Sequence, residues 1–433
     1  MPEINPKLEI LLASQRIMRG ADWMQRLDDL RKQRESGDFE IDKVVPGKLR
    51  GDAESGFYLV QNTYPLDTQQ GSIPLGAVLD VSGDHIALSA SDDELKEFDP
   101  RKALFVDTET SGLAGGTGTV AFLVGVGYFV EEGFRLDQCF MRDYDDEEPM
   151  LAYLAEVFRG KDAVVSYNGK SFDLPLLRTR FIQNRIPFRL EGIQHFDLLH
   201  AARRIWKRRL GACNLGNVER TVLGIERHGD VPSYEIPQMW FDYLRSRDAR
   251  RLEGVFYHHR MDILSLVTLT AWISQCLSAP GGAGFEHSED RLSVVRVYFL
   301  QRRYEDVLVH GERLIEVQGQ GELRAECLEL IAQAAKRLGD WQRMEDMLTL
   351  LLQENPKNLL ARLELAKYYE HRKRNLLDAE RMCAEAVEYL EMRAALGRAT
   401  EFEAAPLTAF QQRLARIRRK LGRNRPAGDE EGQ

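Results

Sequence analysis

Apolar positions along this chain of 433 residues change their spacing from region to region, and the changes outline its parts. Residues 10–34 carry apolar side chains at helical spacing among many charges, which predicts a helix. Residues 56–60, 77–79 and 86–88 are short apolar runs between Gly, Pro and Asp turns and read as strands. They belong to an N-terminal region, residues 1–98, whose role the pattern leaves open. From residue 99 to 277 strands and helices alternate. Residues 103–106, 120–128 and 134–140 predict three early strands with glycine-rich turns between them. Residues 150–158 predict a helix, 163–166 a strand and 174–183 a helix after a turn at Asn168-Gly169. Residues 255–273 place apolar groups every three or four positions, the pattern of an amphipathic helix. This order predicts an α/β domain, a mixed sheet flanked by helices.

Residues 278–288 form a linker that opens on the breaker-rich run Ser278-Ala279-Pro280-Gly281-Gly282-Ala283-Gly284. Residues 289–421 then read as almost continuous amphipathic helix, and 422–433 as a disordered tail. Arg303-Tyr304-Glu305, Asp340-Trp341-Gln342 and Asn375-Leu376-Leu377 each open a helix, at a rough period of 34 to 37 residues. Asn355-Pro356-Lys357-Asn358 falls where one helix pair ends and the next begins. The period resembles tetratricopeptide repeats, which predicts an all-α, tetratricopeptide-like domain with a protein partner on its surface; an unrelated helical bundle is the alternative.

Hydrophobic content of 43% and charged content of 29% describe an ordinary globular chain, and its length suggests two to three domains. No stretch approaches the eighteen or so uninterrupted apolar residues of a membrane span, so no membrane partner is expected. Residues 1–7 lack the basic region and apolar block of a secretory signal. Five scattered cysteines, with no Cys-x-x-Cys pair, predict buried free thiols and a cytoplasmic location. The net charge of −9 does not advertise nucleic-acid binding, but local clusters matter more than the sum. Residues 203–209 set five positive charges around Trp206. Arg203, Lys207 and Arg208 are therefore candidate phosphate contacts and Trp206 a candidate stacking group, with a solvated helix face as the alternative. A second basic run spans 413–425 and reads as a solvated face.

The candidate chemistry lies in three short patterns: Asp107-Thr108-Glu109, Asn168-x3-Phe172-Asp173 and His258-x3-Asp262. They are 66 and 89 residues apart, counted between Asp107, Asp173 and Asp262. One lies at a strand end, one after a second strand and one on a helix, so an α/β fold can bring them to one point. Four bare carboxylates at close range repel strongly in a low dielectric. A pair of divalent cations resolves that conflict, and hard oxygen ligands suit Mg²⁺ or Mn²⁺. Taken singly, each pattern is equally a polar strand end or a solvated turn.

Taken in order, the trio resembles the three exonuclease motifs of the DEDD superfamily of 3′–5′ exonucleases, which have an RNase H-like fold. Leu215-x3-Glu219, Leu223-Gly224-Ile225-x-Arg227, Asp230-Val231-Pro232, Glu235-Ile236-Pro237 and Asp262-Ile263-Leu264-Ser265-Leu266 resemble the YprB-type bacterial branch. Members of that branch are predicted nucleases, often followed by tetratricopeptide repeats. The similarity covers roughly residues 100 to 275. It implies that Asp107 bridges two metal ions, that Glu109 and Asp262 hold the ion that activates water, and that Asp173 supports the other. It also implies that Asn168 orients Asp173 or the terminal nucleotide.

The third pattern departs from the family. One subgroup has His five residues before the last Asp and another has Tyr four before it, whereas here Tyr257 stands at minus five and His258 at minus four. Residues i and i+4 share a helix face, so geometry favours His258 as the proton acceptor, with Tyr257 and His259 as alternatives. Asp197 reads as a helix N-cap or an auxiliary ligand, the cap being preferred. Gly112 to Gly118 resembles a phosphate-cradling loop without the Gly-Lys-Ser ending and reads as a rim of the site. Lys170 is a candidate phosphate contact. The expected function is a metal-dependent 3′–5′ exonuclease acting on single-stranded RNA or DNA; the rival is a non-catalytic adaptor.

Overall fold

The structure, a computed structural model, describes residues 39–51, 56–112, 118–188, 192–278, 286–398 and 404–423. The expected helix over 10–34, the interior of the Gly112–Gly118 loop, most of the linker and the tail beyond Arg423 lie outside these residues. The chain divides into two compact units, residues 1–284 and 285–433.

The first unit is built on strands β1 (Lys48–Arg50), β2 (Phe57–Tyr64), β3 (Gln69–Gln70), β4 (Ile73–Pro74), β5 (Ala103–Thr110), β6 (Ala121–Val130), β7 (Gly133–Phe140), β8 (Ala163–Ser166) and β9 (Gln194–Asp197). Seven of them form one sheet in the order β1-β2-β7-β6-β5-β8-β9, and β3 pairs with β4 apart from it. β5 runs antiparallel to β6 and parallel to β8, and β8 is parallel to β9, so the sheet is mixed. The central strands read as unbroken apolar runs because both of their faces are covered. The covering helices are α1 (Ile41–Val44), α2 (Gly83–Ala90), α3 (Glu147–Phe158), α4 (Asp173–Gln183), α5 (Leu198–Leu210), α6 (Leu215–Val218), α7 (Ile236–Ser246) and α8 (Leu252–Ser278).

Two expectations for the N-terminal region are corrected. Residues 77–79 lie in a 3-10 helix, Leu75–Asp80, and residues 86–88 lie in α2. A three-residue apolar run has no period of its own, and burial against the sheet's other helices decided both. Described residues of the N-terminal region also join the central sheet. β2 pairs with β7 from Tyr58 to Tyr64 and carries the central sheet outward by two strands. Asp137, fully buried, accepts hydrogen bonds from Gln61 Nε2 (2.9 Å), Tyr128 Oη (2.9 Å) and Tyr153 Oη (2.5 Å), tying β2, β6 and α3 to β7.

α8 has the length and composition of a membrane span, but 72% of its most apolar window is buried inside the unit, as in a core helix. It lies against β5 and β6. Gly125 on β6 makes that approach possible: a Cβ there would stand 2.1 Å from Ile263 Cδ1 and 2.5 Å from His259 Cε1. Any side chain at residue 125 would lift α8 away from the strand that carries Asp107.

The second unit is helical among its described residues: α9 (Ser288–Leu300), α10 (Tyr304–Val317), α11 (Glu322–Leu338), α12 (Trp341–Glu354), α13 (Leu359–Tyr368), a π-helical turn Tyr369–Lys373, α14 (Leu376–Ala395) and α15 (Ala404–Arg423). Each helix packs on the next. The breaks are set by capping, with Asp340, Asn358 and Asn375 each accepting a backbone N–H of its helix's first turn. The basic run at 413–425 is not a free face. Arg413, Arg416 and Lys420 converge on the buried carboxylate of Glu370 at 2.7 to 2.9 Å, which docks α15 on its neighbours.

Candidate active site

β5 changes character halfway along. Ala103 to Val106 are buried and anchor the strand, and Asp107 to Thr110 emerge at its end, half-buried. Alternation along a strand sends Asp107 and Glu109 to one side. Thr108 between them donates a hydrogen bond to Asp173 Oδ1 at 2.5 Å, which links the first pattern to the second.

α8 supplies the other side. Because the helix is continuous from Leu252 to Ser278, His258 and Asp262 stand one turn apart on one face. His258 Nε2 lies 3.4 Å from Asp262 Oδ2 and 3.9 Å from Glu109 Oε1. One donor atom from each of Glu109, His258 and Asp262 falls within 4.8 Å of the others. Tyr257 is buried, with the Arg260 guanidinium 5.3 Å from its ring centre. His259, fully buried, faces the Asp107 carbonyl oxygen at 3.0 Å and its carboxylate at 3.7 Å, with Gln138 Nε2 3.2 Å from its other nitrogen. It fixes the backbone of Asp107 where His258 faces the carboxylates.

Arg227 joins the network. Its guanidinium pairs with Glu219, with Asp262 Oδ1, and with Asp230 at 3.2 Å. Asp230 in turn grips His258 Nδ1 at 2.9 Å, and Ser233 Oγ lies 3.3 Å from Nε2. Sequence reasoning marked Glu219, Arg227 and Asp230 only as features of a resemblance and gave them no role, and it passed over Ser233. An Arg flanked by buried acids in sequence does not announce which acid it meets.

The second pattern is shaped by a turn. Asn168 has φ +68°, and Gly169 is packed so closely that a Cβ would stand 2.3 Å from Ser166 Oγ. Asp197 holds this turn. It accepts the backbone N–H groups of Asn168 (2.8 Å) and Lys170 (3.1 Å) and caps α5 through Leu199 N–H (3.1 Å). The capping role of Asp197 is thus the one seen. Asp173, held by Thr108, begins α4 beside this turn.

Burial and mutual repulsion govern the electrostatics. Burial, reinforced by the fields of Asp262, Asp173 and Glu109, raises the Asp107 carboxyl well above its usual range. Burial, with Asp262, Asp173 and Asp230 adding to it, outweighs the attraction of His258 and pushes Glu109 up to about 8. Burial takes Asp173 up to about 6 against the Thr108 hydrogen bond. His258 moves oppositely to its expected role. Burial disfavours its charged form, but the Asp230 hydrogen bond and the fields of Asp262, Asp230 and Glu109 prevail and push it up to about 9. The surrounding carboxylates thus favour the protonated ring, a setting that the place of His258 on its helix does not itself reveal. Burial lowers His259 to about 4 and keeps it neutral.

The donor set fits divalent cations. Burial and neighbouring carboxylates push Asp107, Glu109 and Asp173 toward their protonated forms, a conflict that cations relieve, and hard oxygen donors match Mg²⁺ or Mn²⁺. Among the described residues Glu109, His258 and Asp262 form the close donor group, and Asp107 on β5 and Asp173 on α4 are the further carboxylates that would complete it around bound ions.

The remaining candidates divide. Trp206 is 1% exposed and packs inside the unit, so its ring offers no face to a base, correcting that expectation. α5 turns its apolar positions inward, and Arg203, Lys207 and Arg208 outward. Lys170 is exposed, 3.8 Å from Asp92. Phe172, from the second pattern, is 55% exposed beside Asp173.

A family model described as the RNase H superfamily matches residues 104–274, the stretch that holds all five of these acidic and histidine groups. The uncharacterized protein YprB of Bacillus subtilis (strain 168) is 32% identical over 326 residues, covering 72% of this chain and 75% of that protein. The chain belongs to this family, and its first unit contains an RNase H-like domain. Members of that superfamily are usually nucleases, and the fold usually binds divalent metals.

Proposed function

We propose that the chain is a metal-dependent 3′–5′ exonuclease that hydrolyses the phosphodiester bonds of single-stranded nucleic acid, RNA or DNA. The observation that carries this reading is the convergence of carboxylates from β5, α4 and α8, with Glu109 and Asp262 meeting at His258, in a setting that makes the charges of Asp107, Glu109 and Asp173 costly. Two bound Mg²⁺ or Mn²⁺ ions would supply a deprotonated water and stabilise the attacking and leaving oxygens. The chain's own groups orient the reaction. Asp230 fixes His258 Nδ1, so Nε2 faces Asp262 and Glu109 and presents a proton to be held or passed there. Arg227 fixes one oxygen of Asp262 and leaves the other toward His258. Phe172 takes the stacking role expected of Trp206, with Asn168 and Lys170 beside it on the same turn. A narrow acidic site suits a free 3′ end of a single strand, whose bases can be splayed and stacked. The helical unit is read as tetratricopeptide-like, with a protein partner, and the compartment as cytoplasmic.

The test is incubation of the purified chain with end-labelled single-stranded RNA and DNA in Mg²⁺, Mn²⁺ or EDTA. Stepwise shortening from the 3′ end that EDTA abolishes is expected; no cleavage with either ion would refute the reading. The pairing of Arg227 with Asp262 favours a second reading, since a cation already sits in the cluster: a non-catalytic adaptor using this fold as a scaffold. Binding of nucleic acid without any turnover would select it.

A further inference from the structure

We propose that the second unit carries its own binding site for single-stranded nucleic acid, centred on Trp341 and Tyr368. The site goes beyond the acidic cluster and uses none of its residues.

Two stretches, residues 336–341 and 364–372, build it. α11 ends in Lys336-Arg337, Trp341 opens α12, and Tyr368 closes α13 where the chain enters the π-helical turn with His371 and Arg372. Such turns inside or after a helix often mark functional positions, because they displace the next side chains from the regular helix face. The Trp341 and Tyr368 rings lie nearly parallel, 12° apart with centroids at 6.1 Å, and the Arg372 guanidinium carbon is 4.6 Å from the Trp341 centroid. Three flat groups are thus arranged as a stack on a part of the unit where Lys336, Arg337 and Arg372 are exposed. Trp341 and Arg372 border a groove of about 540 Å³, and Tyr368 joins them in lining a smaller one of about 160 Å³.

Charge selects the occupant. Lys336, Arg337, Lys367 and Arg372 are cationic, and Glu364 is the one carboxylate among the residues lining the two grooves. Glu364 is matched by Lys336 at 2.5 Å and Lys367 at 2.6 Å, which leaves a net positive surface beside the stack. A polyanion fits that surface. Bases add to a stack of rings and guanidinium whatever their identity, and phosphates answer the lysines and arginines, so a single strand uses both features. An acidic peptide uses the charge alone.

The experiment measures fluorescence anisotropy of short labelled oligo-uridylate and oligo-thymidylate with the full chain in EDTA, over a range of salt. EDTA stops any turnover and leaves the first unit's carboxylates uncompensated, so phosphate binding there is weakest. Arg372→Ala and Trp341→Ala are each expected to weaken binding about tenfold, the scale of one lost stacking partner. Trp341→Phe should retain most of the affinity. Lys336→Glu with Arg337→Glu should flatten the slope of log affinity against log salt by about 1.4. Arg372 and Lys336 are exposed, so unchanged helical circular dichroism is expected of their variants and separates lost binding from lost fold. Absence of binding by the parent chain overturns the proposal. So does unchanged affinity in folded Arg372→Ala, or a poly-glutamate peptide that binds the parent chain and is lost in that variant while oligonucleotide affinity stays. Hydrolysis is read separately, so a failed nuclease reading leaves this result intact, and the reverse.

Discussion

Replacing Glu109 by Gln tests the central premise that the acidic cluster is built for cations, and it does so without any turnover. Glu109 titrates near 4.5 in the unfolded chain and is pushed up to about 8 in the folded one. A carboxyl raised in this way favours the fold fully below about 4.5, and the fold loses stability as pH rises toward 8. At pH 7 the folded protein retains a proton that the unfolded chain released about 2.5 units lower. At 1.36 kcal/mol per unit this costs about 3 kcal/mol. Gln keeps the shape and removes the titration. It also removes part of the field that holds the His258 proton, so the expected gain is about 2 to 3 kcal/mol in metal-free protein. For a unit of this size that is about 3 to 5 °C in melting temperature. The assay is thermal unfolding in EDTA at pH 5 and pH 8, repeated with Mg²⁺ or Mn²⁺. The variant should outlast the parent at pH 8, nearly match it at pH 5, and gain less from added metal, because metal stabilises only a fold that binds it. A variant no more stable than the parent at pH 8, or a parent indifferent to metal, would refute the reasoning.

Asp107→Asn should abolish metal-dependent cleavage while the fold stays intact; substantial turnover in the folded variant would remove Asp107 from the site. His258→Ala is expected to slow cleavage by about 100-fold or more, the scale of losing a positioned proton carrier, whereas Tyr257→Phe should change it little; the rates of the two variants side by side decide between them. Arg227→Met leaves Glu219, Asp230 and Asp262 without their shared cation, with an expected loss of about 3 to 5 kcal/mol in urea unfolding and a fall in rate. A variant of normal stability would make Arg227 dispensable. Neutralising Arg203, Lys207 and Arg208 together should flatten the salt dependence of nucleic-acid binding if α5 meets the backbone; an unchanged slope returns it to a solvated face.

Much of the frame was legible because local periodicity reports it. The strands at β5, β6, β7 and β8 and the helices α3, α4 and α8 fall within a few residues of where their apolar spacing put them. The capping residues Asp340, Asn358 and Asn375 open helices where the sequence placed them, since a cap is satisfied within one turn. The His258–Asp262 pair was readable for the same reason: one helical turn joins them. What failed was whatever depended on distant partners. Residues 86–88 became helix and Trp206 became core because burial against remote elements outweighed their local signals. β2 joined the main sheet through β7, with paired residues 70 to 82 positions apart (134 − 64 and 140 − 58), a separation no window of the sequence contains. The protonation of His258 belongs to the same class. Its identity and place on the helix were local facts, but its charge is set by Asp230 from a separate segment and by Glu109 from β5. Spacing decides which residues a strand or helix presents together. Only the tertiary fold decides which charges meet, because electrostatic energy depends on distance and burial rather than on order along the chain.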